Sequence, residues 1–295
     1  MKLRSIEMVL PQAEAAANYL TDIWGAALAG IHNNTFYIRG SGTFAYLVAL
    51  EEGEEKFVRS ITWECESDEL AALKQRLAKL ELKTKPIESD DLGGGQGILV
   101  ELAEGEVFRF LTGSEHVEPL QGKDLPVKLT HVVCNSIDAE ASGHLVEEAL
   151  GFTVSDRTKG MVFVRCNQSH HSTAFARSGF ASLNHIAFEM EDVDAVMRGI
   201  GRLRDNDTAP AWGPGRHGPG ANVFAYFIAP FGAVVEFSTA VEIVPDDYQA
   251  GAPEDWTWPP KRIDQWGISD KDFDGLKQAE QQFCFRRDWQ PEAIS

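Results

Sequence analysis

The amino-acid sequence predicts an α+β protein made of two tandem halves that repeat one another. Three short segments of the first half recur in the second half, and each half alternates β-prone and helical stretches on a β-α-β-β-β plan. The 295 residues suffice for two domains, and a hydrophobic content of 43% supports a sizeable core.

The recurring segments are β-prone runs at equivalent places in the two halves. Residues 4–9 match 128–133, residues 60–65 match 182–187, and residues 105–110 match 232–237. One such pair would mean little, because short strands often look alike. The shared order of all three indicates an ancient duplication.

Helices and strands are predicted from the spacing of apolar residues. In the first half we expect strands at 4–9, 35–39, 43–50, 60–65, 97–102 and 107–111, and helices at 13–28 and 69–80. In the second half we expect strands at 129–134, 161–166, 172–177, 183–189, 223–229 and 233–238, and helices at 139–150 and 193–203.

Domain boundaries are predicted from a change in composition. Segment 113–128 is polar, contains two prolines and reads as a linker. We therefore predict a first domain at residues 1–115 and a second domain at 125–245. Residues 246–295, rich in tryptophan and proline, are expected to form an irregular arm that covers part of the protein.

The charge balance disfavours two classes of partner. The chain has 27 basic and 45 acidic residues, a net charge of −18, and such a field repels nucleic acids and anionic membranes. The four cysteines form no CxxC pair, and Glu7 stands where a signal peptide would be apolar. We expect a cytoplasmic protein without nucleic-acid or membrane partners.

The matched segments differ in the chemistry they carry. Sequence matching sets Glu7 opposite His131, Trp63 opposite His185, and Arg109 opposite Glu236. An arginine cannot bind a metal, because it has no lone pair to donate. The second half therefore offers two imidazoles and a carboxylate that the first half lacks. We predict that the domain at 1–115 is non-catalytic and that the domain at 125–245 is the catalytic metal-binding domain.

Each histidine on its own is a weak indication. A lone buried histidine is more often a hydrogen-bonded core residue than a ligand, by roughly three to one. His131 and His185 nevertheless both fall within strands of a repeated unit, and Glu236 lies in an otherwise apolar strand, where a carboxylate needs a partner. Two histidines and one carboxylate leave coordination positions open, as Fe(II) oxygenases require, and Mn(II) also suits this set.

A spaced pattern in the second half carries a family resemblance. It consists of GRHGPGANVFAYF at residues 215–227 and APFG at 229–232, with Tyr226 nine residues after His217 and Glu236 ten residues after Tyr226. With the strands that hold His131 and His185, this pattern resembles the type I extradiol ring-cleavage dioxygenases of the vicinal oxygen chelate superfamily. The motifs cover about residues 128–238, and the architecture covers the whole chain.

The resemblance implies a fold and a reaction. The fold is two tandem vicinal oxygen chelate domains, each of paired βαβββ modules forming an open β-barrel around a cleft. The reaction is cleavage of a catechol-type substrate by O₂ at Fe(II), in a protein that forms homo-oligomers. His217 and Tyr226 are implied to hydrogen-bond the substrate oxygens.

The acid/base histidine implied by the resemblance has two candidates. The family pattern His-x-x-Ala-Phe, registered on Ala174 and Phe175, selects His171, whereas the usual interval to His185 selects His170. A slip of one residue turns a strand side chain to the opposite face, so we give the strand pattern more weight and favour His171. A pKa near neutrality would suit this role.

Two other functions fit the same scaffold. Glyoxalase-like lyases or isomerases of this superfamily hold a metal too, typically with four protein ligands. A non-catalytic small-molecule binding protein would be expected to lack the metal-binding residues. The sequence does not identify the substituents of the aromatic ring.

Overall fold

The computed structural model describes residues 1–285 and has the predicted α+β fold, with two β-α-β-β-β modules in each half. The first half comprises β1 (Lys2–Leu10), α1 (Ala13–Asn18), β2 (Ala27–His32), β3 (Thr35–Arg39), β4 (Val48–Glu52), β5 (Phe57–Glu64), α2 (Ser67–Lys79), β6 (Thr84–Glu88), β7 (Gln96–Glu101) and β8 (Val107–Thr112). The second half comprises β9 (Lys128–Ser136), α3 (Ala139–Leu150), β10 (Thr153–Arg157), β11 (Met161–Arg165), β12 (Thr173–Arg177), β13 (Ser182–Glu189), α4 (Val193–Asp205), β14 (Trp212–Arg216), β15 (Val223–Ile228) and β16 (Val234–Thr239). The chain continues to α5 (Phe273–Ala279) and β17 (Cys284–Phe285). Residues 286–295 of the predicted arm lie outside the described residues.

The two modules of each half join into one curved eight-stranded sheet. The strand order is β2-β3-β4-β1-β5-β8-β7-β6 in the first half and β10-β11-β12-β9-β13-β16-β15-β14 in the second. Within residues 1–285 the outermost strands of each order do not pair with each other, so each sheet is an open barrel around a cleft. The short β17 pairs with both β5 and β13 and links the two sheets.

Polar residues define the ends of the helices in the second half. Asp138 and Asp192 precede α3 and α4, and their carboxylates accept hydrogen bonds from the backbone N–H groups of Ala141 and Ala195. These bonds satisfy helix N–H groups that have no partner within the helix. Gly151 ends α3 in a left-handed conformation, with φ of 72°.

Aromatic side chains join the two halves through a shared core. Trp24 of the first half stacks on Phe237 of the second, with ring centroids 3.7 Å apart, and meets Phe188 edge-on. In return, Phe152 of the second half packs edge-on against Trp63. The buried apolar residues of both halves form one continuous cluster. Trp63 is therefore a core residue that lies between the two sheets.

Two predicted elements differ from the structure. The helix expected at 13–28 is only α1 followed by a π-helical turn at Tyr19–Ile23, because Gly25 turns the backbone into a left-handed conformation (φ 92°) and β2 begins at Ala27. The strand expected at 43–50 begins at Val48. Thr43 and Phe44 pair instead with residues 116–117 of the connecting segment.

Strand register also corrects the matching of the two halves. β5 and β13 share one burial pattern, with Ile61 and Ile186 at equivalent pairings, so that Ser60 corresponds to His185. By the same pairings Ser5, not Glu7, corresponds to His131. The match of Arg109 to Glu236 agrees with the register. The first half thus has serines where the second has histidines, and it still lacks the ligand set.

In the first half an ion-pair network fills the cleft. The Glu7 carboxylate accepts hydrogen bonds from the hydroxyl groups of Ser5 and Ser60 at 2.6 and 2.7 Å, and the Arg109 guanidinium lies 2.9 Å from it. Arg109 also contacts Asp91 at 2.6 Å. All five residues are buried. The positive charge in this cleft is thus that of the Arg109 side chain, which is paired with the carboxylates of Glu7 and Asp91.

Within residues 1–285 the helices are all too short or too polar to cross a lipid bilayer.

Candidate metal centre and catalytic cavity

Three adjacent strands bring the predicted metal ligands together. His131 lies on β9 and Glu236 on β16, and both are register partners of Ala187 on the central strand β13. His185 stands two residues before Ala187, on the same face of β13. Ligands that are 105 residues apart in sequence are thus neighbours across one sheet.

The ligand atoms form a compact buried cluster. The Nε2 atoms of His131 and His185 lie 3.2 and 3.1 Å from Oε2 of Glu236, and the donor atoms of all three residues lie within 4.8 Å of one another. Each side chain is at most 5% exposed. Of the described residues, these are the only group of three or more histidine, cysteine or acidic side chains with the spacing of a metal site.

Electrostatics favour the ligand form of these groups. Burial lowers the pKa of His185 and keeps the imidazole neutral, although Glu236 opposes this shift. Burial alone would raise the pKa of Glu236, but His131 and His185 hold it well below its usual range. The site therefore offers a neutral imidazole and a carboxylate, the forms that coordinate a cation.

Amide side chains orient two of the ligands. Asn184 Oδ1 lies 2.6 Å from Nδ1 of His185, and the Asn222 amide donates to Oε1 of Glu236 at 3.3 Å and to Ser238 at 2.9 Å. A hydrogen bond to the second ring nitrogen of a histidine fixes its tautomer and orientation. Neither asparagine was identified from the sequence, although Asn184 directly precedes His185.

The residues present fit a divalent transition metal. Nε2 of His185 is buried and has no hydrogen-bonded partner among the described residues, although Oε2 of Glu236 is 3.1 Å away. If Nδ1–H is donated to Asn184, this Nε2 carries a lone pair. An unpartnered buried lone pair beside a carboxylate is suited to a cation, and the donor set suits Fe(II) or Mn(II).

His217 and Tyr226 form a hydrogen-bonded pair beside the ligands. His217 Nε2 lies 3.0 Å from the Tyr226 hydroxyl, and the Tyr226 ring meets His185 edge-on at 4.9 Å. Burial raises the pKa of Tyr226 well above its usual value, and Glu236 adds to this shift, so the phenol stays protonated. Burial lowers the pKa of His217 to about 3, so its imidazole is neutral.

The structure separates the two candidate acid/base histidines. His171 lines the cavity above the ligands, and its ring centroid is 4.3 Å from that of His131. His170 is fully buried behind it. Burial lowers the pKa of His171 well below its usual value, and His131 contributes. Desolvation of the ring therefore acts against a pKa near neutrality for this residue.

A cavity of about 960 Å³ opens over the ligand cluster, a size suited to a small aromatic substrate. One wall is apolar, with Val133, Met161 and Phe163. The segment after β16 also lines the cavity, through residues that include Phe273, Leu276 and the half-buried Lys271, whose Nζ lies 4.0 Å from the centroid of the Trp212 ring. The sequence did not identify Lys271 as a cavity residue.

A family model and a curated relative match this part of the chain. The model of the Glyoxalase/Bleomycin resistance protein/Dioxygenase superfamily matches residues 128–237, a segment that contains the three candidate ligands. Metapyrocatechase 2 of Cupriavidus necator is 26% identical over 218 residues, which are 66% of this chain and 68% of that protein.

Solved structures share the whole architecture. The Mn(II)-bound glyoxalase of Novosphingobium aromaticivorans is 29% identical, with a TM-score of 0.85, and the match covers 93% of both chains. Homoprotocatechuate 2,3-dioxygenase of Arthrobacter globiformis, at 23% identity and a TM-score of 0.77, covers 85% of this chain and 84% of its own, and shares the fold. The resemblance found in the sequence is thereby confirmed: residues 128–237 match the Glyoxalase/Bleomycin resistance protein/Dioxygenase superfamily, and the proteins to which the chain is similar include extradiol dioxygenases.

Proposed function

We propose that this protein cleaves the ring of a catechol-type aromatic diol with O₂, by extradiol cleavage at Fe(II) held by His131, His185 and Glu236. One C–C bond beside the diol breaks, and both atoms of O₂ enter the ring-opened product. The single observation that carries the proposal is the buried cluster of three ligand side chains at the base of a cavity of about 960 Å³. The names of the metapyrocatechase and homoprotocatechuate dioxygenase relatives support the choice of catechols.

When bound, Fe(II) supplies Lewis acidity, a template for two vicinal oxygens and a route for electrons. The chain's own part is to hold the ligands in place and to exclude bulk water. Three protein ligands leave positions open, and the apolar wall of Val133 and Phe163 suits a flat aromatic ring. An aromatic diol would thus be held between this wall and the His217–Tyr226 pair.

Tyr226 and His217 are placed to bind the polar edge of the substrate. The Tyr226 phenol stays protonated and donates one hydrogen bond, and neutral His217 lies 3.0 Å from it. A donor beside one diol oxygen favours the ionised form of that oxygen. The pair would therefore bias which hydroxyl group loses its proton.

His171 is the cavity histidine suited to proton transfer. It is neutral, since burial holds its pKa well below the usual value, and Nε2 has no hydrogen bond to the described residues. A neutral imidazole accepts a proton first and returns it later, a role worth about 10²–10⁴ in rate. His170 is fully buried and does not line the cavity.

The experiment is anaerobic loading with Fe(II), followed by O₂-uptake and absorbance assays against a panel of catechols. We expect a yellow ring-opened product with one O₂ consumed per diol, and we expect loss of both signals in His185→Ala. A matched control is His144→Gln, since His144 is exposed on α3. Binding of catechols without O₂ uptake would contradict the proposal.

A second candidate function is a metal-dependent glyoxalase-like lyase or isomerase, favoured by the likeness to the Mn(II)-bound glyoxalase. Two assays separate the functions. Conversion of a hemithioacetal by the Mn(II)-loaded protein without O₂ would support the isomerase, and O₂-dependent ring opening supports the dioxygenase. The same loading series with Fe(II) and Mn(II) identifies the active metal.

We also propose a cellular compartment, from the state of the cysteines, and an oligomeric state, from the family resemblance. The four cysteines are free thiols, which suits a reducing compartment such as the cytoplasm. Homo-oligomers are proposed from the family resemblance, and light scattering of the metal-loaded protein tests them.

A further inference from the structure

A buried chain of hydrogen bonds runs away from the cavity behind His171. Nδ1 of His171 lies 3.0 Å from Nδ1 of His170, and Nε2 of His170 lies 2.5 Å from Oδ2 of Asp156 on β10. The three residues are at most 3% exposed. Only His171 of the three lines the cavity, so the other two act on the substrate only through it.

The segment after β16 fixes the far end of this chain. The backbone N–H of Gly251 donates to Oδ1 of Asp156 at 2.7 Å, and the Tyr248 hydroxyl lies 3.3 Å from both carboxylate oxygens. Each oxygen of Asp156 therefore has its own partner. A carboxylate held at both oxygens cannot turn away from His170 without leaving a buried group unpaired.

A glycine packs directly against the two histidine rings at the point where they contact each other. Gly220 has φ of 73°, and a Cβ at this position would lie 3.0 Å from Nδ1 of His170 and 3.1 Å from Nδ1 of His171. Only a residue without a side chain lets the loop lie this close to both rings. The hydrogen bond between the imidazoles is thus covered by backbone.

Two hydrogen bonds of this kind constrain the ring protons. If His170 donates Nε2–H to Asp156, its Nδ1 carries a lone pair and accepts the Nδ1–H of His171. The Nε2 of His171 then presents a lone pair to the cavity. The other tautomer of neutral His171 would place two lone pairs face to face at 3.0 Å.

We propose that His170 and Asp156 are positioning residues that fix the orientation and the tautomer of His171, so that Nε2 faces the substrate as a proton acceptor. This inference deepens the proposed function and rests on it for its kinetic consequence. In a catalytic triad a carboxylate orients the histidine directly. Here the imidazole of His170 lies between the carboxylate of Asp156 and His171.

The chain also provides a place for the proton. When Nε2 of His171 gains a proton from the diol, the Nδ1–H bond of His171 can break and that proton can pass to Nδ1 of His170. His171 is then neutral with its proton on Nε2, and the charge lies on His170 beside Asp156. The return of a proton to substrate reverses the two transfers, so protons balance over the cycle.

The first test needs no substitution. In protein labelled with ¹⁵N-histidine and loaded with diamagnetic Zn(II), we expect ring spectra that show His171 protonated at Nδ1 and not at Nε2. We also expect a ¹⁵N–¹⁵N coupling across the hydrogen bond between the two Nδ1 atoms. A His171 protonated at Nε2 with no such coupling would overturn the proposal.

The second test uses Asp156→Asn and His170→Gln in the Fe(II)-loaded enzyme. We expect kcat to fall by about 10- to 100-fold while KM for the catechol stays within about twofold, because orientation is lost and binding is kept. The metal content should match the wild type, and the His171 ring in His170→Gln should shift toward the Nε2–H tautomer. His144→Gln, an exposed histidine, is the matched control and should leave kcat unchanged.

Together, the two tests distinguish failure of the positioning role from failure of the proposed function. If folded Asp156→Asn and His170→Gln retain the wild-type kcat, the positioning role is wrong even though ring cleavage stands. If the wild type cleaves no catechol but the ¹⁵N–¹⁵N coupling is present, the proposed function fails, whereas the assigned tautomer and orientation of His171 stand. A parallel loss of metal and activity in both variants would assign a merely structural role and contradict the inference.

Discussion

Asn184 lies 2.6 Å from the ring nitrogen of His185 that points away from the metal position. The Asn184 amide is held in turn by Asn135, to which it donates a hydrogen bond of 2.8 Å, and Asn135 donates to Ser182 at 3.1 Å. The ligand is thus anchored through a series of short polar side chains. Such a series keeps the free nitrogen of His185 unprotonated and correctly aimed.

Replacing Asn184 should therefore weaken metal binding without removing a ligand. We expect Asn184→Ala to lower the affinity for Fe(II) by about 10- to 100-fold, as loss of a partner that orients a ligand usually does. Anaerobic competition with a chelator measures this affinity. Asn206→Ala is the control, since Asn206 is exposed at the end of α4. Unchanged affinity in Asn184→Ala would show that packing alone orients His185.

His217 should make stability depend on pH. Its pKa is lowered from 6.5 to about 3 by burial, so below about pH 6.5 the unfolded chain binds a proton that the folded protein does not. The contribution of neutral His217 to the free energy of unfolding is complete above pH 6.5 and is lost as the pH falls toward 3. Between pH 7 and 5 we expect the wild type to lose roughly 1–2 kcal/mol more unfolding free energy than His217→Gln.

Urea unfolding of both proteins in chelator-containing buffer measures this difference, because metal release at low pH is then the same for each. Parallel pH profiles for the wild type and His217→Gln would mean that His217 is solvated enough to take up a proton in the folded state.

Arg109 should be a large contributor to the stability of the first half. Arg109→Met leaves Glu7 and Asp91 as buried carboxylates without their cation, and we expect a loss of about 3–5 kcal/mol. The matched control is Arg157→Met, whose ion pair with Glu140 is partly exposed and should cost less than about 1 kcal/mol. Urea unfolding gives both values, and equal losses would contradict the difference in burial.

Gly220 should tolerate no side chain. In Gly220→Ala the φ of 73° and the contacts with His170 and His171 should together cost about 1–3 kcal/mol, and kcat should fall with the displaced rings. Gly201→Ala is the control, since nothing lies within 4 Å of a Cβ there, and α4 should gain up to about 1 kcal/mol. A neutral Gly220→Ala would show that the loop moves away freely.

The sequence predicted the α+β fold from the repetition of the two halves, and it predicted the resemblance from the spacing of His217, Tyr226 and Glu236. Sequence matching assigned the wrong first-half counterparts to two of the ligands. Ser5 and Ser60, rather than Glu7 and Trp63, occupy the positions equivalent to His131 and His185. Short-segment matching aligned similar letters, whereas the strand pairings align the two halves without gaps at an offset that differs from that match by two residues at His131 and three at His185. A tryptophan can look like a lost ligand when it is in fact a core residue between sheets.

The polar residues around the site were less accessible to sequence reasoning. Asp156 and Asn184 lie in strands that carry several polar residues, and nothing local distinguishes them from exposed positions. Their partners come from other strands or from the segment after β16, such as Gly251. Contacts of this kind depend on how distant segments meet, which periodicity does not encode.

The guanidinium in the first cleft is covalently part of the chain, so chelators cannot extract it and competing ions cannot replace it. Loss of a metal from the candidate site would therefore leave the charge in the first cleft unchanged. This difference between the two halves follows from Arg109 standing where its counterpart is Glu236.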